Sequence, residues 1–140
     1  MSKIFVIHEN SEWLPPFAEA LDAEDATWEE WSLVEGAIDI GVEPPEGVFY
    51  SRMSASSHTR GHAASKDYTR SVLSWLESFG RTVVNGRRVL EMEMSKIDQH
   101  TALRAFGFDV PATVGVVGQG ELKSRARNMR LPFISKHNQG

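Results

Sequence analysis

Residues 48–85 read VFYSRMSASSHTRGHAASKDYTRSVLSWLESFGRTVVN. The run VFYSR (48–52) is β-branched and aromatic, with glycine before it and polar residues after it, which is the signature of a strand. A polar loop follows, then a helical pattern over 65–79. Tyr68, Val72, Trp75, Leu76 and Phe79 fall on one face, and Gly80 stands at the expected stop. RTVVN then reads as a second strand. Strands that alternate with a helix in this way pair in parallel, and that points to an α/β fold.

The pattern extends in both directions. Upstream, KIFVIH (3–8) is a short apolar run and a first strand. PPFAEALDAED is a helix whose prolines sit in the tolerant first turn, with Phe17, Ala20 and Leu21 at helical spacing. WEEWSLVEG holds a further strand, IDI (38–40) a third short one, and GVEPPEG is a turn-rich connection. Downstream, the Asn85-Gly86 pair is compatible with a hairpin turn. The preferred reading is a strand that leaves into a loop and a short helical turn. SKIDQHTALRAFG (95–107) is a helix with Ser95 as N-cap, Asp98 three residues on and Gly107 at its end. PATVGVV reads as a strand, GELKSRARNM as a short helix and LPFISK as a final strand. A mainly parallel sheet flanked by helices is expected over the first ~90 residues. The best boundary lies between 85 and 95, which divides the chain into 1–90 and 91–140.

The 140 residues are enough for a real core, and 41% hydrophobic with 24% charged residues suits a globular protein. The absence of cysteine excludes disulfides and thiolate metal sites. The N-terminal apolar run is too short for a secretion signal and no stretch is long enough to span a membrane, so the cytoplasm is the expected compartment. Residues 1–50 carry twelve acidic residues against one basic, Lys3, whereas residues 51–140 carry fourteen basic against seven acidic. This asymmetry reads either as a cationic face that receives anions or as two complementary, solvated layers. Nucleic acid is disfavoured, because the basic residues are dispersed and lack interleaved aromatics. The sequence is compatible with a homo-oligomer.

Neither GxGxxG nor GxxxxGK[ST] occurs, so a nucleotide would have to bind by another device. Two lysines stand out. Lys96 lies in the first turn of its helix, where the macrodipole disfavours a cation by about 0.3–1 kcal/mol. A phosphate there would reverse the sign, with the lysine and the free amides acting together. The plain alternative is an exposed lysine at almost no cost. Lys136 would share a strand face with Ile134, and a partly buried lysine needs an anionic partner. The alternative is an edge lysine that blunts aggregation.

Together these segments resemble the entry to the ATP-grasp domain of carboxylate–amine ligases. In that family a lysine opens a helix that ends in G-x-x-x-P-x-T, matched here by Lys96 and by Gly107 to Thr113. A second lysine sits on a strand written P-x-x-x-K, matched by Pro132 to Lys136, before a glycine-rich loop whose first glycine is matched by Gly140. Residues 48–85 also resemble the sheet domain that precedes ATP-grasp in glutathione-synthetase-like and RimK-like glutamate ligases. There an arginine near a strand end is followed by small polar residues, a helix and E-x-x-G, the places of Arg52 and of Glu77 to Gly80. The resemblance covers residues 48–140.

It implies ATP and Mg²⁺ as cofactors, with Lys96, Lys136 and Gly140 at the ATP phosphates. It implies small-molecule or peptide carboxylate and amine substrates, joined through an acylphosphate. The metal ligands, the adenine pocket and most of the substrate site would lie past residue 140. On this reading the chain is an amino-terminal part that does not catalyse alone and holds no catalytic residue.

SRMSASSHTRGH (51–62) is the second candidate site, at what reads as the carboxyl end of a strand, where open α/β sheets bind ligands. Arg52, Ser54, Ser56, His58 and Arg60 offer donors for an anionic substrate. The alternative is a solvated loop that leads into the next helix. His58 and His62 have i,i+4 spacing, but no third metal ligand is evident and Gly61 argues against a helix there. Trp13, Trp28, Trp31 and Trp75 read as packing residues. The rival to the ligase reading is a self-contained, non-catalytic α/β module that binds an anionic ligand or partner.

Overall fold

Among the described residues the β-branched and aromatic runs form four strands: β1 (Ile4–His8), β2 (Trp28–Ser32), β3 (Val48–Ser51) and β4 (Thr82–Val84). They make one parallel sheet in the order β2-β1-β3-β4. Ile4 stands opposite Trp28 and Val48, and Ile7 opposite Trp31 and Ser51, so the carboxyl ends of the three strands lie along one edge. The computed structural model describes residues 2–139. The chain divides into two compact units, Met1–Glu91 and Met92–Gly140.

In the first unit, helices cover both faces of the sheet. Strand alternation sends Phe5, Ile7 and Phe49 to one face. There Phe5 and Phe49 stack at 4.8 Å, and Trp31 leans on Phe49 at 5.5 Å and on Trp75 at 6.4 Å. Trp75 belongs to α2 (Ser65–Ser78). Tyr50 points the other way and meets Phe17 of α1 (Pro15–Ala23) at 5.2 Å. The buried residues of α2 are Ser65, Lys66, Thr69, Val72, Leu73, Trp75 and Leu76. Phe79, expected on the buried face, is the C-cap residue and is exposed, because its own backbone has left helical geometry just before Gly80 turns the chain at φ +70°.

Residues 38–40 form no strand. The segment leading to β3 is held instead by side chains of α2 and its exit. Trp75 Nε1 donates to the Val42 carbonyl at 3.0 Å, and Arg81 donates to the Pro44 and Pro45 carbonyls at 2.6 and 3.0 Å. Asn85-Gly86 is not a hairpin turn. Asn85 takes φ +56° and donates to the Ser51 carbonyl at 3.2 Å, and α3 (Arg87–Glu93) starts directly after. The Glu77 carboxylate accepts from the Arg87 amide at 2.9 Å, which caps that start.

The second unit contains α4 (Lys96–Ala105) and α5 (Leu122–Arg127), and neither has a buried residue. The expected strands at 111–117 and 131–136 pair with nothing among the described residues. An extended run becomes a strand only when a neighbour takes its N–H and C=O groups. Here the side chains are also bare, Val117 at 99% and Ile134 at 87% exposure. Lys136 is therefore exposed rather than half-buried on a strand face. Gly140 falls outside the described residues. Among these, no helix is long and apolar enough to cross a membrane.

Candidate functional site

The chain leaves β1 toward β2 on one side of the sheet, and β3 lies on the other. The order therefore reverses between β1 and β3. Such a switch point opens a crevice at the carboxyl ends of the strands. His8 ends β1 and Glu9 follows it. Arg52 follows β3, its amide tied to the Ile7 carbonyl at 2.8 Å.

Glu9 is the anchor of this crown, with only 2% of its surface exposed. Two residues of the 51–62 loop reach it. Arg60 donates Nη2 to Glu9 Oε1 and Nε to Oε2, the latter at 3.3 Å, a two-pronged contact. His62 donates Nδ1–H to Oε2 at 2.9 Å. Burial alone would raise the Glu9 pKa. The hydrogen bonds from Arg60 and His62, with their charges, outweigh burial and hold the carboxyl below its ordinary value. The loop can reach Glu9 because Ser57–Arg60 coils into a 3₁₀ turn and Gly61, at φ +83°, reverses the chain so that His62 points back.

The other predicted donors are engaged within the first unit. Arg52 Nη1 donates to the Trp13 carbonyl at 3.3 Å, and its guanidinium lies 4.9 Å from the centre of the Phe17 ring. The Ser54 and Ser56 hydroxyls bond each other at 2.8 Å, and Ser56 also accepts from Arg60 Nη1 at 3.2 Å. His58 donates to the Ala55 carbonyl at 3.2 Å and stands exposed. His58 and His62 thus serve different partners. Trp13 is not a core residue: it is 51% exposed and roofs the Arg60 guanidinium at 4.7 Å.

Sequence reasoning missed Glu9, His8 and Asn10. His8, Asn10, Trp13, Leu14 and Arg52 line a cavity of about 10 Å³, room for one water-sized group. His8 is 4% exposed, and neither ring nitrogen makes an aligned hydrogen bond among the described residues. Its Nε2 lies 2.9 Å from Glu30 Oε1, a carboxylate that also accepts from Ser11 Oγ at 3.2 Å. The signal for His8 was a histidine at the end of an otherwise apolar strand. Glu9 gave no signal, since its partners lie more than fifty residues downstream.

In the second unit the segment after Lys136 returns to the start of α4. The Lys96 amide donates to the Asn138 carbonyl and the Ile97 amide to Asn138 Oδ1, both at 3.0 Å. Ser95 Oγ accepts from the Asp98 amide at 3.1 Å and from Asn138 Nδ2 at 3.0 Å. These amides are not free for a phosphate, contrary to the sequence reading. The Lys96 ammonium donates to Gln99 Oε1 at 3.1 Å and retains further donors. Thr113 of the matched G-x-x-x-P-x-T stretch donates to the Pro111 carbonyl at 2.9 Å and accepts from His100 Nδ1 at 2.8 Å. The turn is thereby fastened to α4.

No family model matches this chain, and no curated protein matches it.

Proposed function

We infer that this chain is the amino-terminal part of an ATP-dependent carboxylate–amine ligase of the ATP-grasp kind. The observation that carries the reading is the docking of Asn138 onto the first turn of α4. It draws the Lys96 and Lys136 segments together, as a pair of phosphate-binding lysines requires. The ammonium groups suit phosphate oxygens, since each is a compact charge with several donors. The helix amides do not contribute, because Asn138 and Ser95 occupy them. ATP, when bound, supplies the phosphoryl group that activates a carboxylate for attack by an amine. The part of this chain in that chemistry is to position and neutralise the phosphates. Among the described residues no three His, Asp or Glu side chains converge on a metal position. The Mg²⁺ ligands on this reading belong to sequence past residue 140.

The test is ADP release by a polypeptide that continues past Gly140, assayed with the common amino acids singly and in pairs. Turnover that needs an acid and an amine together supports the reading. Lys96→Ala and Lys136→Ala should each lower kcat/KM for ATP roughly 10- to 100-fold, the worth of one charge-assisted contact. Undiminished turnover in Lys136→Ala would sink it.

One observation favours the second reading, a binding module without catalysis. The first unit has its own core, and its own cavity at the switch point.

A further inference from the structure

The second unit holds a cleft that the ligase reading does not use. Ile97, His100, Thr101 and Arg104 share one face of α4, at the i, i+3, i+4, i+7 spacing of a helix. Gly107, at φ +83°, turns the chain back after that helix, and the Phe108 amide donates to the Leu103 carbonyl at 3.0 Å. Residues 108–115 then return along the same face and are pinned at their far end. His100 Nδ1 and Thr113 Oγ1 are hydrogen-bonded at 2.8 Å, and Gly115 passes so close that a Cβ there would lie 2.5 Å from Ile97 Cδ1. Between the two pins lies a cleft of about 470 Å³. Phe108 and Ile97, 62% and 40% exposed, give it an apolar wall. Its lining also includes one fixed cation and one carboxylate, Arg104 and Asp109. Neither side chain has an ion pair or a hydrogen bond among the described residues, and they form none with each other.

Opposite charges on either side of one turn attract, and flexible side chains would close that gap unless the backbone held them apart. Here the turn at Gly107 and the His100–Thr113 bond hold it. Each charge is left to a ligand group of opposite sign. Arg104 can only donate, and its planar guanidinium suits a carboxylate. Ionised Asp109 can only accept, and suits an ammonium group. We propose that this cleft, between α4 and residues 108–115, binds a short zwitterionic peptide of dipeptide size, its carboxylate on Arg104, its ammonium group on Asp109 and its apolar side chains against Phe108 and Ile97. An anion alone would be repelled by Asp109, and a cation alone by Arg104. A free amino acid carries both charges on one carbon, whereas a dipeptide sets them up to about 3.5 Å further apart. The volume falls within the range of about 300–1,000 Å³ typical of small-ligand sites. The proposal stands apart from the ligase reading, since it needs neither ATP nor the two lysines.

The test uses this chain without ATP. ¹H–¹⁵N spectra are followed during titration with leucyl-leucine. The dipeptide should give saturable shifts at the Arg104 Nε and at the Phe108 and Asp109 amides. N-acetyl-leucyl-leucine lacks the ammonium group and leucyl-leucinamide lacks the carboxylate. Each should bind at least about tenfold more weakly, the loss of one charge-assisted contact. Free leucine should also bind at least about tenfold more weakly. Arg104→Gln should erase the difference between leucyl-leucine and its amide, and Asp109→Asn the difference between leucyl-leucine and its acetylated form. Both side chains are exposed, so neither change endangers the fold. Arg127→Gln removes an equally exposed cation from α5 and should leave every affinity unchanged. The proposal fails if leucyl-leucine does not saturate, which would mean that the two charges are merely solvated. It fails equally if a blocked form or free leucine matches the dipeptide, or if the shifts fall outside residues 97–115. None of these failures touches the ATP assay, and loss of ADP release in the lysine variants leaves this titration unaffected.

Discussion

Glu9 shows how one buried carboxylate can fasten a loop. Its two oxygens take Arg60 and His62, so the 51–62 loop folds back onto the end of β1. Removing one partner of a buried ion pair strands the other and costs about 3–5 kcal/mol. Arg60→Ala leaves the buried Glu9 carboxylate short of its cationic partner and should therefore lower unfolding stability by about that amount in urea. Glu9→Ala leaves the part-exposed Arg60 and His62 to water and should cost less. Glu9→Gln keeps the shape and should fall between the wild type and Glu9→Ala. The pH dependence follows from the direction of the shift. The folded pKa lies below the ordinary value of 4.5, so the folded state favours the ionised form. The stabilisation is present in full above 4.5 and is lost as pH falls through the folded value. Urea midpoints measured from pH 6 down to pH 3 should drop more steeply in the wild type than in Glu9→Gln. Parallel curves would show that the pairing contributes nothing.

At the scale of elements, two glycines separate backbone strain from steric exclusion. Gly61 turns the 3₁₀ segment toward Glu9 at φ +83° with open space around it, so Gly61→Ala bears only the left-handed backbone cost, about 1–2 kcal/mol. Gly47 precedes β3 at φ +155°, and a Cβ there would lie 2.5 Å from the Lys3 carbonyl oxygen and 2.8 Å from the Phe5 ring. Gly47→Ala must push β3 from β1 and should cost more than Gly61→Ala, by thermal unfolding of the two variants. Equal losses would mean that β3 can slide. The elements built from local pattern were legible in the sequence: VFYSR, the 65–78 helix, and Ser95 as a cap. Those that depend on a distant partner were not. Residues 38–40, 111–117 and 131–136 carry β-rich composition, yet a ladder needs a neighbour, and composition does not say whether one is present. The site divides in the same way. The loop donors announced themselves, while Glu9 and the bare nitrogen of His8 became visible only once β1 and β3 were side by side.

At the scale of the molecule, the two units differ in what holds them. The first closes an aromatic cluster of Phe5, Trp31, Phe49 and Trp75 between sheet and helix, and the buried Phe5, Phe49 and Trp75 each contribute about 1.5–3 kcal/mol by leaving water. The second rests on the capping bonds of Asn138 and Ser95, the His100–Thr113 contact and the turns of its own helices, with no buried side chain in α4 or α5. Hydrogen bonds open to solvent are each worth about 0.5–1.5 kcal/mol net, too little to hold a unit without a core. Native-state hydrogen exchange should therefore find the amides of α4 and α5 exchanging at least about 100-fold faster than those of β1 and β3, a gap of about 2.8 kcal/mol. Asn138→Ala should widen the gap by freeing the Ile97 amide, and should leave β1 and β3 unchanged. The bare valines of 111–117 and Ile134 would then mark a surface that further strands cover in a longer polypeptide, as the ligase reading requires. Equal protection in both units would mean that the second is stable as it stands, and would turn the argument toward the self-contained binding module.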